Sequence, residues 1–216
     1  MVLSVIVTNA VAAYLEELRP AADPLLAEME AHGARDHVPI VAPEVGAFLS
    51  VLARARGARR IVEVGTAIGV STLHLARALP AVGELVSFEI DAARHAAARG
   101  YLERAGLAAR VELRLQDARA GLAELEGPFE MAFIDGVKAQ YGDYLDRLLP
   151  LLGERAVLAV DNALMSGTVA EGRGDGNWTE AQIATARAFN RRILSLEDFT
   201  ATLTPIGDGV LVAVRR

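Results

Sequence analysis

The stretch Arg60-Ile61-Val62-Glu63-Val64-Gly65-Thr66-Ala67-Ile68-Gly69 decides the fold. Its first half is a short, largely β-branched run, the composition of a strand buried on both faces. Its second half carries two glycines and leads into residues 71–78, which read as a helix. A strand that turns on glycine into a helix opens a βαβ unit. The alternation continues, with strands expected over 84–90, 111–115, 130–134 and 156–160 and helices over 92–105, 118–125 and 141–149. Strands separated by helices pair in parallel, so the spacing predicts a doubly wound α/β sheet. After a glycine-rich loop, 167–177, and a helix over 180–194, the pattern changes. Segments 199–205 and 210–214 flank Ile206-Gly207-Asp208-Gly209, which reads as the turn of an antiparallel hairpin.

Ahead of the sheet, residues 8–18, 24–32 and 44–55 read as extra N-terminal helices. Asp23 is the expected N-cap of the second, with Pro24 at its first position. Residues 38–43 contain two prolines and are expected to be extended, because residues before proline avoid the helical region. The chain is thus read as one domain, 1–216, with a helical cap over 1–56 and an α/β core over 57–216.

Of the 216 residues, 52% are hydrophobic and 23% charged, which suits a packed core and argues against disorder. The net charge of −6 disfavours nucleic acid as the main partner. With no cysteine, the chain has no disulfide, thiolate metal site or cysteine nucleophile, and it fits a reducing cytoplasm. Residues 1–7 are apolar but have no basic segment before them, so a signal peptide is not expected, and no run is long enough for a membrane helix.

Glycine lets the 65–69 loop turn sharply where the N–H groups of a helix N-terminus face a ligand. The spacing Gly65-x-x-x-Gly69 lacks the third glycine of a dinucleotide fingerprint, and Glu63 would repel a diphosphate. A carboxylate there suits an ammonium group instead, which favours S-adenosylmethionine over NAD. Glu89, closing the second strand, is placed to accept the hydroxyls of an adenosine ribose, and Asp117-Ala118 to flank its adenine. Asp135 closes the fourth strand and Asp161-Asn162 the fifth, on the same rim. Two carboxylates and an amide oxygen form a hard, open donor set that suits Mg²⁺ or a similar divalent cation. The four histidines show no zinc spacing. Capping of the following segments is the plain alternative for each aspartate. Lys138 would lie beside the cation, where its ammonium form is disfavoured and it becomes a usable base.

These residues resemble the cation-dependent small-molecule O-methyltransferases, the family of catechol and caffeoyl-coenzyme A O-methyltransferases. The likeness rests on Pro43-Glu44-Val45-Gly46, Ile61 to Thr66, Ser71-Thr72-Leu73, Phe133-Ile134-Asp135 with Lys138, Asp161-Asn162-Ala163-Leu164 and Pro205-Ile206-Gly207-Asp208-Gly209. It implies a seven-stranded Rossmann-like sheet, cofactor contacts at Val41, Glu63, Gly65, Thr66, Ser71, Glu89, Ala118 and Asp135, and a metal at Asp135, Asp161 and Asn162. It also implies Lys138 as base and a homodimer. Val70, Val137 and Met165 depart from the family's usual tyrosine, acidic residue and aromatic, and Gly153-Glu154-Arg155 replaces a frequent Gly-Gly.

The expected reaction is methyl transfer from S-adenosylmethionine to a vicinal-diol, catechol-like hydroxylated aromatic. One alternative acceptor is a hydroxylated wobble uridine of tRNA, because Thr66-Ala67-Ile68-Gly69 and Val38-Pro39-Ile40 are similar to that branch of the family; the basic cluster Arg54, Arg56, Arg59 and Arg60 has a solvated face as its plain reading. A nicotinamide oxidoreductase and a catalytically silent adenosyl-binding module are the remaining alternatives. The loop over 167–178, with Trp178, reads either as an acceptor lid or as surface.

Overall fold

The computed structural model describes residues 8–21, 23–176 and 178–216; the reading of residues 1–7 lies outside them. The central strand is β1 (Arg60–Val64), paired in parallel with β2 (Glu84–Glu89) on one side and β4 (Phe129–Ile134) on the other. Beyond them lie β3 (Val111–Leu115), parallel to β2, and β5 (Leu152–Val160), parallel to β4. The hairpin β6 (Phe199–Thr204) and β7 (Val210–Arg215) closes the sheet, with β7 antiparallel to β5. Among the described residues the order is β3-β2-β1-β4-β5-β7-β6, the seven-stranded, mostly parallel sheet that the sequence implied.

Helices cover both faces, which is why β1 reads as a largely apolar run interrupted by Glu63. Ile61 packs into one core and Val62 and Val64 into the other. The first core takes residues from α2 (Pro24–Asp36), α3 (Pro43–Arg56), α4 (Val70–Ala78) and α5 (Ala92–Arg104). The second takes residues from α6 (Ala118–Leu122), α7 (Tyr141–Leu148) and α9 (Glu180–Leu194). α1 (Asn9–Glu17) precedes them, capped by Thr8, and Asp23 caps α2 through the amides of Leu25 and Leu26. No helix among the described residues is long and apolar enough to cross a membrane.

Several boundaries differ from expectation. α2 runs on to Asp36, ended by His37 in the left-handed conformation rather than by Gly33, whose missing Cβ makes room for Ile40. β5 starts at Leu152 and crosses a register shift, so the polar Glu154-Arg155 pair sits in a strand that it disguised as a turn. The glycine-rich loop contains a short helix, α8 (Thr168–Glu171), bracketed by Gly167 and Gly172 at positive φ and anchored by buried Thr168 and Val169.

Between α6 and β2 the packing leaves no slack. A Cβ on Gly121 would stand 2.1 Å from Phe88 Cε1, and Phe88 is itself buried. Gly121→Ala is expected to destabilise the fold by about 1–3 kcal/mol despite the better helix propensity of alanine. Denaturant unfolding measures it.

Glu63 is wholly buried in β1. Its Oε2 accepts the hydroxyls of Thr72 at 2.5 Å and Ser87 at 2.6 Å, while Oε1 has no hydrogen-bond partner. Burial raises its pKa from 4.5 to about 7, against the pull of the Ser71, Ser87 and Thr72 hydroxyls and with added repulsion from Asp135. The folded state thus holds this proton more tightly than the unfolded chain does. Its stabilising contribution is full below about pH 4.5 and is lost as pH rises through about 7, a change of roughly 3 kcal/mol. Glu63→Gln should remove one proton's worth of slope from the stability–pH curve in that window. Equal slopes in wild type and variant would contradict the assignment.

Candidate active site

Strand register builds the site. Phe88, Val64, Ile134 and Val160 stand in one row across β2, β1, β4 and β5. The next residue along each strand is Glu89, Gly65, Asp135 and Asp161, so four expected site residues leave the sheet together at its carboxyl edge. Ligands of open α/β sheets bind outside that edge, at the point where strand order reverses. Here that point is the β1–β4 junction.

A cavity of about 250 Å³ opens over this junction. Val41, Gly65, Thr66, Ser71, Glu89, Asp117, Ala118, Asp135 and Lys138 are among the residues that line it. Gly65 has a φ of 98°, and a Cβ there would fall 2.1 Å from the Asp135 carbonyl oxygen, so only glycine lets the two strand ends approach. Glu89 is fixed by three backbone amides: Ala67 donates to Oε2, and Ile90 and Asp91 donate to Oε1. A carboxylate held so firmly is a preorganised acceptor for ligand hydroxyls.

Not every expected residue reaches the cavity. Glu63 lies behind the wall, engaged with Thr72 and Ser87, so the structure does not bring it to the cavity surface. Gly69 also lies off the wall; with a φ of 91° it starts α4 and approaches Ala98. Asp117 lines the cavity but caps α6 through the Arg119 amide and pairs with the Arg119 guanidinium at 2.8 Å. Other wall residues were not singled out from the sequence. Arg94 lies one turn into α5 and Gln116 immediately before Asp117, and that proximity to Glu89 and Asp117 was the available signal.

Around Asp135, negative charge gathers. Lys138 Nζ donates to Asp135 Oδ1 at 2.7 Å and lies 5.2 Å from the Tyr141 ring centre. Burial raises the Asp135 pKa, with Lys138 opposing and Asp208 reinforcing the shift. Asp161 Oδ1 accepts the backbone N–H of Asn162 at 2.7 Å; burial and the Asp135 charge push its pKa up to about 7. The Tyr141 hydroxyl, also buried, is raised well above 10 by burial and then by Asp135 and Asp161. Among the described residues no three His, Cys, Asp or Glu side chains form a metal-binding group; Asp135 and Asp161 act on each other electrostatically, and Asn162 lines the second cavity beside Asp161.

A second, small cavity lies between Asp161, Asn162 and Met165 on one side and Gln182, Ala186 and Phe189 of α9 on the other. Lys138 lines both cavities. Met165, in the place of an expected aromatic, is buried at this wall. Trp178 lines neither cavity. The basic cluster lies elsewhere. Arg60 begins β1 at the opposite edge of the sheet and binds Glu84 and two backbone carbonyls. Arg54 and Arg56 likewise donate to backbone carbonyls, those of Arg77, Glu154 and Arg155.

Comparison with known proteins agrees with this geometry. A model of the O-methyltransferase family matches residues 15–216. A catechol O-methyltransferase of Niastella koreensis is 36% identical over 183 residues, covering 81% of each chain. The O-methyltransferase TomG of Streptomyces achromogenes, involved in tomaymycin synthesis and solved with SAM, is 32% identical with a TM-score of 0.83, covering 96% of both chains. An O-methyltransferase of Bacillus cereus, solved with SAH, is 30% identical with a TM-score of 0.84, covering 96% of this chain and 97% of that one. By the extent of the family match, this chain belongs to the O-methyltransferase family.

Proposed function

We propose that the protein transfers the methyl group of S-adenosylmethionine to one hydroxyl of a vicinal-diol, catechol-like small molecule, with a divalent cation at the carboxyl edge. The observation that carries the reading is the pair Asp135 and Asp161. Asp161 is buried and Asp135 half-buried, both with raised pKa values, and among the described residues Lys138 is the cation that opposes both shifts. Hard oxygen donors carrying uncompensated charge fit a hard divalent cation such as Mg²⁺. Asp135, Asp161 and Asn162 are the residues that would hold it. When bound, such an ion supplies Lewis acidity that lowers the pKa of an acceptor hydroxyl.

The chain's own residues supply the rest. Glu89, pinned by its three amides, accepts the ribose hydroxyls, and Ala118 bounds the adenine side of the cavity. Gly65, Thr66 and Ser71 bring the methionine end of the cofactor toward Asp135, with Val41 closing over it. Lys138, once released from Asp135 and with one Nζ proton given up to solvent, accepts the proton of the acceptor hydroxyl as a neutral amine. The oxygen then attacks the sulfonium methyl in line; the C–O bond forms, the C–S bond breaks, and S-adenosylhomocysteine leaves. No covalent enzyme intermediate is needed, and positioning of this kind can supply about 7–11 kcal/mol.

The small acceptor is favoured over tRNA because the arginine cluster sits across the sheet from the cavity and is engaged by backbone carbonyls. The absence of cysteine supports a reducing compartment, the cytoplasm. Tyr14 and Leu15, exposed on α1, and Leu18, exposed at its C-cap, support a homodimer.

Methylation of a catechol by labelled S-adenosylmethionine, with Mg²⁺ and with a chelator, tests the reading. Chelation should reduce turnover to background, and Asp161→Ala should reduce it by roughly 10²–10⁴-fold, the rate equivalent of several kcal/mol. Undiminished turnover in chelator refutes the cation role. A vicinal diol should be methylated far faster than the matching single phenol, and equal rates would contradict a two-oxygen acceptor.

A further inference from the structure

Asp208, in the turn between β6 and β7, is brought to the site by strand direction. Because β7 runs antiparallel to β5, with Leu211 opposite Val160, the turn before β7 lies at the same edge as Asp161. The Asp208 side chain bonds twice to the loop that follows β5. Its Oδ1 accepts the backbone N–H of Ser166, and its Oδ2 accepts the side-chain Nδ2 of Asn162 at 3.3 Å. The main chains are tied as well, Ala163 N–H to Gly209 carbonyl at 2.8 Å and Leu164 N–H to Asp208 carbonyl at 2.9 Å. On the loop side Asn162, Met165 and Ser166 hold φ values of 59°, 47° and 55°. Non-glycine residues adopt that conformation only when their surroundings impose it.

A carboxylate accepts hydrogen bonds and cannot donate them, so Asn162 must turn its NH₂ toward Asp208. Its Oδ1, the one atom of that side chain able to ligate a cation, is thereby turned away from Asp208. We infer that Asp208 is a positioning residue: by accepting from Nδ2 it sets the amide of Asn162 so that oxygen, and not NH₂, is offered to the cation. The inference rests on the divalent-cation reading above and adds to it a specific outer partner, of the kind that fixes ligand orientation at metal sites.

Asp208→Asn separates the role from mere packing. The new amide has one acceptor oxygen, which the fixed Ser166 N–H takes, leaving an NH₂ against Asn162. The Asn162 amide must then rotate, presenting its own NH₂ to the cation. Titration of the purified enzyme with Mn²⁺ alone, followed by calorimetry or electron paramagnetic resonance, should show affinity about 10–100-fold weaker, with S-adenosylhomocysteine binding retained. Adding Asn162→Asp should restore most of the affinity, because a carboxylate at 162 accepts from the amide at 208 and still offers an oxygen. Because a third carboxylate by itself tightens cation binding, the rescue is read against Asn162→Asp alone: the loss on Asp208→Asn should be smaller in that background than in the wild type, whereas a purely structural Asp208 gives the same loss in both.

Wild-type-like Mn²⁺ affinity in Asp208→Asn, or a double variant no tighter than the single one, overturns the inference alone. Absence of Mn²⁺ binding by the wild type overturns both it and the cation reading. Should Asp208→Asn not fold, nuclear magnetic resonance of the wild type decides. Slow solvent exchange of the Asn162 side-chain amide protons supports the bond to Asp208, and fast exchange overturns it.

Discussion

Unslipped parallel pairing across β2, β1, β4 and β5 is the constraint on which the site depends. Side chains alternate along a strand, so a shift of one residue would send Asp135 or Asp161 to the opposite face of the sheet. The row Phe88–Val64–Ile134–Val160 forbids that shift, because each member is buried against helices. The free energy that aligns the carboxylates therefore comes from apolar burial beneath them. Gly65 completes the alignment by letting β1 and the β4 end approach within a distance no side chain tolerates.

Charge is the cost of this arrangement. Asp135, Asp161 and Asp208 each disfavour the ionised form of a neighbour, and burial adds to the penalty. Lys138 answers part of it through its 2.7 Å bond to Asp135. That bond also occupies the amine, so its use as a base requires another positive charge to take its place beside Asp135. The requirement links the proposed cation and the proposed base through one carboxylate.

Much of this was legible in the sequence, for physical reasons. Apolar runs such as Met131–Ile134 mark strands buried on two faces, and polar residues just after them mark the carboxyl edge. Asp23 and Pro24 started α2 where capping chemistry says they should. Strand order, by contrast, is a long-range property that no local pattern encodes. The hidden parts are those set by tertiary contact. Glu63 was read as facing a ligand, yet whether a strand-end carboxylate faces a cavity or the core depends on Thr72 and Ser87 across the turn. α8 escaped notice because a four-residue helix between glycines has no periodicity to detect. Asp208 was visible as turn chemistry, but its bond to Asn162 spans two distant segments.

The shared position of Lys138 on both cavities has a thermodynamic consequence. A side chain that forms part of two walls must adopt an arrangement compatible with both occupants. Any free energy by which one occupant displaces the lysine is therefore felt, with equal size, by the other. With the methyl donor in the larger cavity as proposed, its displacement of Lys138 reshapes the smaller one beside Asp161 and Asn162, and whatever binds there alters the donor's affinity in return.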